Sequence, residues 1–576
     1  MTSAESRLLD YLTFLYGRKT GEMVCNQFRE KLDRFSRDHP ELSNASSVHP
    51  LSQSDTMLIT YGDQVREPDR LPLKTLQEFF SAYISGWVSN IHLLPFYPYS
   101  SDDGFSVIDY WRVDERLGTW ENIEDLSRDF GLMFDAVINH ISRQSAWFKD
   151  YIAGKFPYTG YFLEVDPSQD LSQVFRPRTL PLLTQVKVGE NTRHVWTTFS
   201  DDQIDLNYAN PQVLLGILNI LLFYVANHAR FIRLDAIAFL WKEIGTPCLH
   251  LPQTHAVVKL IHSVFDLVAP GTMLITETNV PHQENISYFG DGSDEAQLVY
   301  NFALPPLVLH SFRAGDATKL SAWAAGLDLP SKQTTFFNFL ASHDGIGVTP
   351  VSGILSEDEI SGLVDQARSH GGLVSSRNLA DGSQIPYELN ISYFDALSDP
   401  KSGEPLERQI DRFITAHAIM FALAGMPGIY FHSLFGSRSW KEGVAITGHN
   451  RTINRQKLDR RELESELADV NSRRARVFFR LKALLEARRA HPAFSPYASQ
   501  RILDLGPAVF CVLRGDPMDR QVVCLHNVAG SHQSITLDLK SLDAQRARDL
   551  VKGQSLAGER LSFDLPPYGT VWLALE

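Results

Sequence analysis

The sequence predicts an α/β protein: a (β/α)8 TIM barrel with inserted loop subdomains and a small C-terminal antiparallel β domain. Three observations carry that expectation. Short apolar runs recur along the chain, each ending in a polar cluster: 56–63, 88–98, 131–140, 229–239, 271–279, 334–344 and 419–431. Helical patterns lie between many of them, as in PQVLLGILNILLFYVANHA from Pro211. Near-continuous apolar strands alternating with helices are what a helix-covered parallel sheet requires, and seven or eight such units suit a closed barrel. Beyond about residue 500 the pattern changes to strand-like runs with turn residues between them, such as AVFCVLRG and RQVVCLHN.

Each element follows in chain order. Residues 1–54 read as an N-terminal extension of amphipathic helices ending in the Ser/Asn-rich stretch LSNASSVHPLSQSD. The barrel takes 55–140, 212–344 and 408–495. Two long gaps interrupt its rhythm, and loops of that length are usually lids or small subdomains. They give inserted subdomains at 141–211 and 345–407. Within the second, SEDEI (356–360) reads as the acidic first turn of a helix. Residues 496–576 form the β domain. In a barrel of this kind the polar residues at strand C-termini gather at one mouth, where active sites are built.

Composition narrows the function. The 576-residue chain carries a formal net charge of −14, 44% hydrophobic and 21% charged residues. That acidic balance argues against a nucleic-acid or anionic-membrane surface. Any anionic substrate then needs a local cationic pocket. Cys25, Cys248, Cys511 and Cys524 lack CxxC spacing, so free thiols are expected rather than a disulfide framework or zinc site. The polar N-terminal segment has no signal-peptide pattern and no apolar run reaches membrane-spanning length, which leads to the expectation of a cytoplasmic protein.

Three acids end three apolar runs: Asp235 in FIRLDAIAF, Glu277 in LITETN and Asp344 in FLASHDG. One such acid is commonly a helix cap. Three, with Arg233, His140 and His343 beside them, are better read as a site. Retaining glycosyl transfer needs two carboxyl groups about 5–5.5 Å apart, one nucleophilic and one acid/base. Arg233 lies two positions before Asp235, on the same side of the strand, where its charge favours an ionised carboxylate. A third acid, Asp344, suits stabilisation of an oxocarbenium-like transition state.

DAVINH, RLDAIAF, TETN and FLASHDG resemble the four signature regions of the α-amylase superfamily of glycoside hydrolases. LPFYPYSSDDGFSVIDY, FRPRTLPLLT, VWTTFSDDQIDLNY, SHDGIG and NRTINR are closer to its sucrose-phosphorylase-like branch, and the resemblance runs from about residue 55 onward. It implies Asp235 as nucleophile, Glu277 as general acid/base and Asp344 as transition-state stabiliser, with His343 beside it. It also implies glucose contacts from Asp102, His140, Arg233 and Arg455, with Phe105 as an aromatic wall. Arg178 and Tyr387 resemble the branch's phosphate contacts, and Phe199 and Phe239 its acceptor lining. The alternative for Arg451 and Arg455 is a solvated charged loop; for Arg176 and Arg178, surface ion pairs; for the phenylalanines, core packing. No cofactor and no metal are expected, although Asn139 occupies a position that binds calcium in some amylases.

A glucosyl-enzyme can be opened by water, a sugar or phosphate. The Arg-bearing insert and the resemblance favour phosphate, so the expected partners are a small α-glucoside and inorganic phosphate. The leaving acceptor is read as glycerol, because GIGVTPVSGILSEDEI after Asp344 has no Lys or Arg. Glycerate, with Arg377 as a candidate cation, is the alternative, followed by sucrose or sucrose 6′-phosphate, then hydrolysis or transglucosylation. A non-catalytic binding relative would be expected to lack one of the acids, and all three are present.

Overall fold

The computed structural model describes residues 3–44, 50–379, 382–517 and 520–576; residues 45–49, within the Ser/Asn-rich stretch, lie outside it. Eight parallel strands close a barrel: β1 Met57–Thr60, β2 Asn90–Leu93, β3 Gly131–Ala136, β4 Ala229–Leu234, β5 Met273–Thr276, β6 Leu298–Tyr300, β7 Thr335–Phe339 and β8 Met426–Tyr430. Each pairs with its sequence neighbours, and β8 returns to β1. Almost every strand residue is buried, since barrel strands face side chains inside and helices outside. Seven of the eight lie in the apolar runs named above. The eighth, β6, is only LVY, too short an apolar run to stand out between DEAQ and NF. In 419–431 the strand is confined to 426–430, and 419–422 instead end the helix Leu406–Ala422.

Local chemistry explains the covering helices. Pro211–Ala226 has Pro at its first position and Asn210 as N-cap, its side chain accepting from Gln212 N at 3.0 Å. The helix Glu357–Ser369 in the second insert is opened by a capping box of Ser356 and Glu359, so SEDEI is its first turn. The N-terminal helices α1 (Ser3–Tyr16) and α2 (Arg18–Asp38) pack on each other and on the helix Pro252–Val268.

The stretch after β3 contains two antiparallel pairs, His140–Ser142 with Gln203–Asp205 and Leu183–Val188 with Asn191–Trp196. The stretch after β7 forms a three-stranded antiparallel sheet with Gln384–Asn390 at its centre. The C-terminal residues form a six-stranded antiparallel sheet and a separate two-stranded one. Arg488 and Arg514 fasten that region to the barrel's lower end. Both are buried and donate to backbone carbonyls, Arg488 to those of Gly425 and Phe494 and Arg514 to those of Ala422 and Ser495. Among the described residues no helix is long and apolar enough to cross a membrane.

Candidate active site

Register places the acids. Arg233 on β4 pairs with Asp135 on β3 and Ile275 on β5. Thr276 pairs with Leu234, so the next residues, Glu277 and Asp235, leave adjacent strand ends. The chain then turns sharply. Ala236 takes a left-handed conformation (φ 49°), uncommon for a residue with a Cβ. That turn aims its N–H at Glu277 Oε2, 3.0 Å away.

One guanidinium organises the acids. Arg233 Nη1 is 2.7 Å from Asp235 Oδ1 and 2.5 Å from Asp135 Oδ1, while Nη2 is 3.8 Å from Glu277 Oε2. Asp135 also receives His92, 2.7 Å away across the barrel interior. Burial would raise the Asp135 carboxyl, but His92 and Arg233 hold it low. Burial pushes both Asp235 and Glu277 up, against the pull of Arg233; Asp135 and Asp344 raise Asp235 further, and Asp235 and Asp344 raise Glu277. Two such groups share a proton at neutral pH. Arg233 lies closer to Asp235 than to Glu277, which favours the negative charge on Asp235 and the proton on Glu277. This is the asymmetry a nucleophile and an acid/base require.

Asp344 has a different environment. Its Oδ1 lies 2.5 Å from Arg451 Nη1 and 3.7 Å from Arg455 Nη2. Burial alone would raise it, yet Arg451, with Arg455 behind, holds it below the usual carboxylate range. His343 stacks on Phe105 with ring centres 4.8 Å apart and 3° between planes. Burial and Arg455 keep His343 neutral, its pKa well below the ordinary value.

These groups surround a cleft at the barrel mouth. Asp102, Phe105, His140, Asp235, Glu277, His343 and Asp344 line one part. Arg178, Phe199, Phe239 and Tyr387 line another, so residues from both inserts meet over the barrel mouth. The Arg178 guanidinium lies 5.8 Å from the Phe199 ring centre and 5.9 Å from that of Tyr387. Phe199 and Phe239 meet edge to face at 5.4 Å. Arg176 turns away and donates to Leu180 O. Arg377 stacks on Phe175 at 4.9 Å, outside the lining.

Arg233 and Arg455 are both buried beside the cleft. Arg455 is fixed by His343 O at 2.9 Å and by Asp103 Oδ2 at 2.7 Å, nearer than Asp102 Oδ1 at 3.6 Å. Arg451 does line the cleft, so this segment is no solvated loop. Asp103 pairs with Arg455 from a left-handed turn shared with Asp102, closed by Gly104, where a Cβ would strike Pro95 O at 2.7 Å.

Further residues are invisible to sequence patterning because their partners are remote. Lys242 is the clearest. Its ammonium sits 2.7 Å from Asp205 Oδ2 and 2.7 Å from Asn139 Oδ1, occupying the space beside Asn139 with the chain's own cation. Asn139 Nδ2 in turn lies 3.2 Å from His140 Nδ1. His140 Nε2 donates to Phe105 O at 2.9 Å, which leaves Nδ1 to accept from Asn139.

Comparison with known proteins identifies the framework. The alpha amylase catalytic domain family matches residues 83–348. A glucosylglycerate phosphorylase from Allomeiothermus silvanus is 49% identical, over 98% of each chain. The chain belongs to the alpha-amylase family, in its phosphorylase branch. It is accordingly an enzyme of the retaining, phosphorylase type. A glucosylglycerol phosphorylase from Marinobacter adhaerens is 29% identical, over 77% of this chain and 89% of that one. The crystal structure of a sucrose 6F-phosphate phosphorylase from Thermoanaerobacter thermosaccharolyticum shares the fold, with TM-score 0.73 and 23% identity over 90% of this chain and all of that one.

Proposed function

We propose that this phosphorylase transfers a glucosyl unit between D-glycerate and phosphate: 2-O-α-glucosylglycerate plus phosphate gives α-glucose 1-phosphate plus glycerate. The observation that carries the acceptor choice is Arg178. Among the described residues no carboxylate lies within ion-pair distance of it, and it faces the cleft between two aromatic rings. Arg451, the other lining arginine, is already matched by Asp344 and Glu388. An unmatched guanidinium suits both a leaving carboxylate and an entering phosphate.

The expectation of a neutral glycerol acceptor is given up for this reason. The segment after Asp344 does lack Lys and Arg, but the cation comes from the other insert, folded across to face it. The 49% identity to a glucosylglycerate phosphorylase, against 29% to a glucosylglycerol phosphorylase, supports the same choice.

In the first half-reaction the Asp235 carboxylate attacks the anomeric carbon while Glu277 protonates the glycosidic oxygen, releasing glycerate and leaving a β-glucosyl-enzyme. Phosphate then enters beside Arg178. Glu277, now a carboxylate, takes its proton as a phosphate oxygen attacks the same carbon. Two inversions retain the α configuration. Asp344 and the Phe105 face oppose the positive charge that develops at the sugar ring.

Glucose 1-phosphate release from glucosylglycerate, glucosylglycerol and sucrose tests this. Glucosylglycerate is expected to have a kcat/KM at least about 100-fold above that of glucosylglycerol. Equal or faster turnover of glucosylglycerol would overturn the acceptor assignment.

A further inference from the structure

Glu388 has no part in the chemistry above, yet it is buried. It sits at the centre of the three-stranded sheet in the 345–407 insert, next to Tyr387. Its carboxylate takes Arg451 in a two-point fork, Nε to Oε1 at 3.1 Å and Nη2 to Oε2 at 2.9 Å. The remaining nitrogen, Nη1, lies 2.5 Å from Asp344 Oδ1. Glu388 Oε1 also accepts the backbone N–H of Gly345, the residue after Asp344. A Cβ on Gly345 would strike Leu389 O at 2.5 Å and Glu388 Oε1 at 2.8 Å, so only glycine allows this approach.

We propose that Glu388 is a positioning residue that holds Asp344 from two sides, through Arg451 and through the Gly345 amide. It thereby couples the acceptor-side sheet to the transition-state carboxylate. The inference rests on the role assigned to Asp344 above. A planar guanidinium gripped at two nitrogens has little rotational freedom, so the fork decides where the third nitrogen points. A lone Arg451–Asp344 pair would let the arginine swing toward any anion in the cleft. With Glu388 in place, Arg451 remains matched and aimed while Arg178 alone meets the acceptor. Movement of the strand carrying Tyr387 therefore moves Asp344 with it. The glucose end is set in part by what the acceptor end is doing.

Isotope exchange between labelled phosphate and α-glucose 1-phosphate tests this without glycerate. Wild-type exchange with no glucosylglycerate turnover would overturn only the acceptor assignment. No wild-type exchange would overturn both readings. Glu388→Gln keeps the shape and removes the charge. It is expected to lower kcat for exchange at least about tenfold, with KM for glucose 1-phosphate within about threefold. Its acid limb should move to higher pH, because a poorly aimed Arg451 no longer keeps Asp344 ionised. Arg451→Lys keeps the charge, loses the fork and should behave alike. It carries the test if the Gln variant does not fold. The double variant should fall no more than about threefold below the weaker single one. Exchange by Glu388→Gln within about twofold of wild type, an unshifted acid limb, or losses that multiply in the double variant would each overturn the proposal.

Discussion

The two ends of the cleft are built on different principles. At the glucose end the charged groups are matched within the fold: Arg233 by Asp135 and Asp235, Arg455 by Asp103, Arg451 by Asp344 and, from the second insert, Glu388. At the acceptor end the groups ride on two inserts, and Arg178 is left unmatched among the described residues. Matched charges stay where they are when the substrate arrives, so their reorganisation cost is already met. An unmatched charge beside aromatic rings instead recruits whatever anion fits. The rigid end sets the reaction, and the open end sets the partner.

The sharpest way to break this contrast is at Asp235, the proposed nucleophile. Asp235→Ala should lower glucose 1-phosphate formation by about 10⁴-fold or more, with unchanged circular dichroism. Activity near wild type would remove Asp235 from its role and leave the glucose end without a chemical function. A smaller loss is expected across the cleft. Arg178→Ala should raise KM for phosphate about 10–100-fold while glucosyl transfer to neutral glycerol changes by less than about threefold. Equal losses in both would show that Arg178 supports the fold rather than an anion.

The mildest test concerns the shared proton. Glu277 acts as an acid only when protonated, and burial with Asp235 nearby raises its pKa. Its contribution is complete below that pKa and disappears as pH rises through it. The basic limb of kcat/KM should therefore lie well above the ordinary glutamate value of about 4.3. A basic limb at or below about pH 5 would take the acid role from Glu277.

Much of the glucose end is legible in the sequence alone. Asp235, Glu277 and Asp344 each terminate an apolar run, and a barrel brings such residues together whatever its loops do. β6 escapes because three residues carry too little periodicity. The pairings are harder for a different reason. Arg451 and Arg455 are four residues apart in one charged segment, and only the fold decides which faces the cleft. Glu388 is far along the chain from Asp344, its partner through Arg451 and Gly345. The sequence points to glycerol because the segment between Asp344 and Ile360 carries no cation, whereas Arg178 crosses over from the other insert.

Lys242 sets a limit on how that first insert can change. It joins the stretch after β3, at Asn139, to the returning strand, at Asp205, from the loop just after Asp235. Between those anchors the chain carries Arg178 and Phe199 to the cleft, so a change of length or sequence there alters what an acceptor meets. The anchors themselves must hold. A grafted insert that returned without an oxygen for the ammonium would strand a buried charge and release Asn139 from beside His140. New acceptor specificities are thus reached by exchanging what lies between the two fixed points, with the lysine and its two oxygens kept as a common socket.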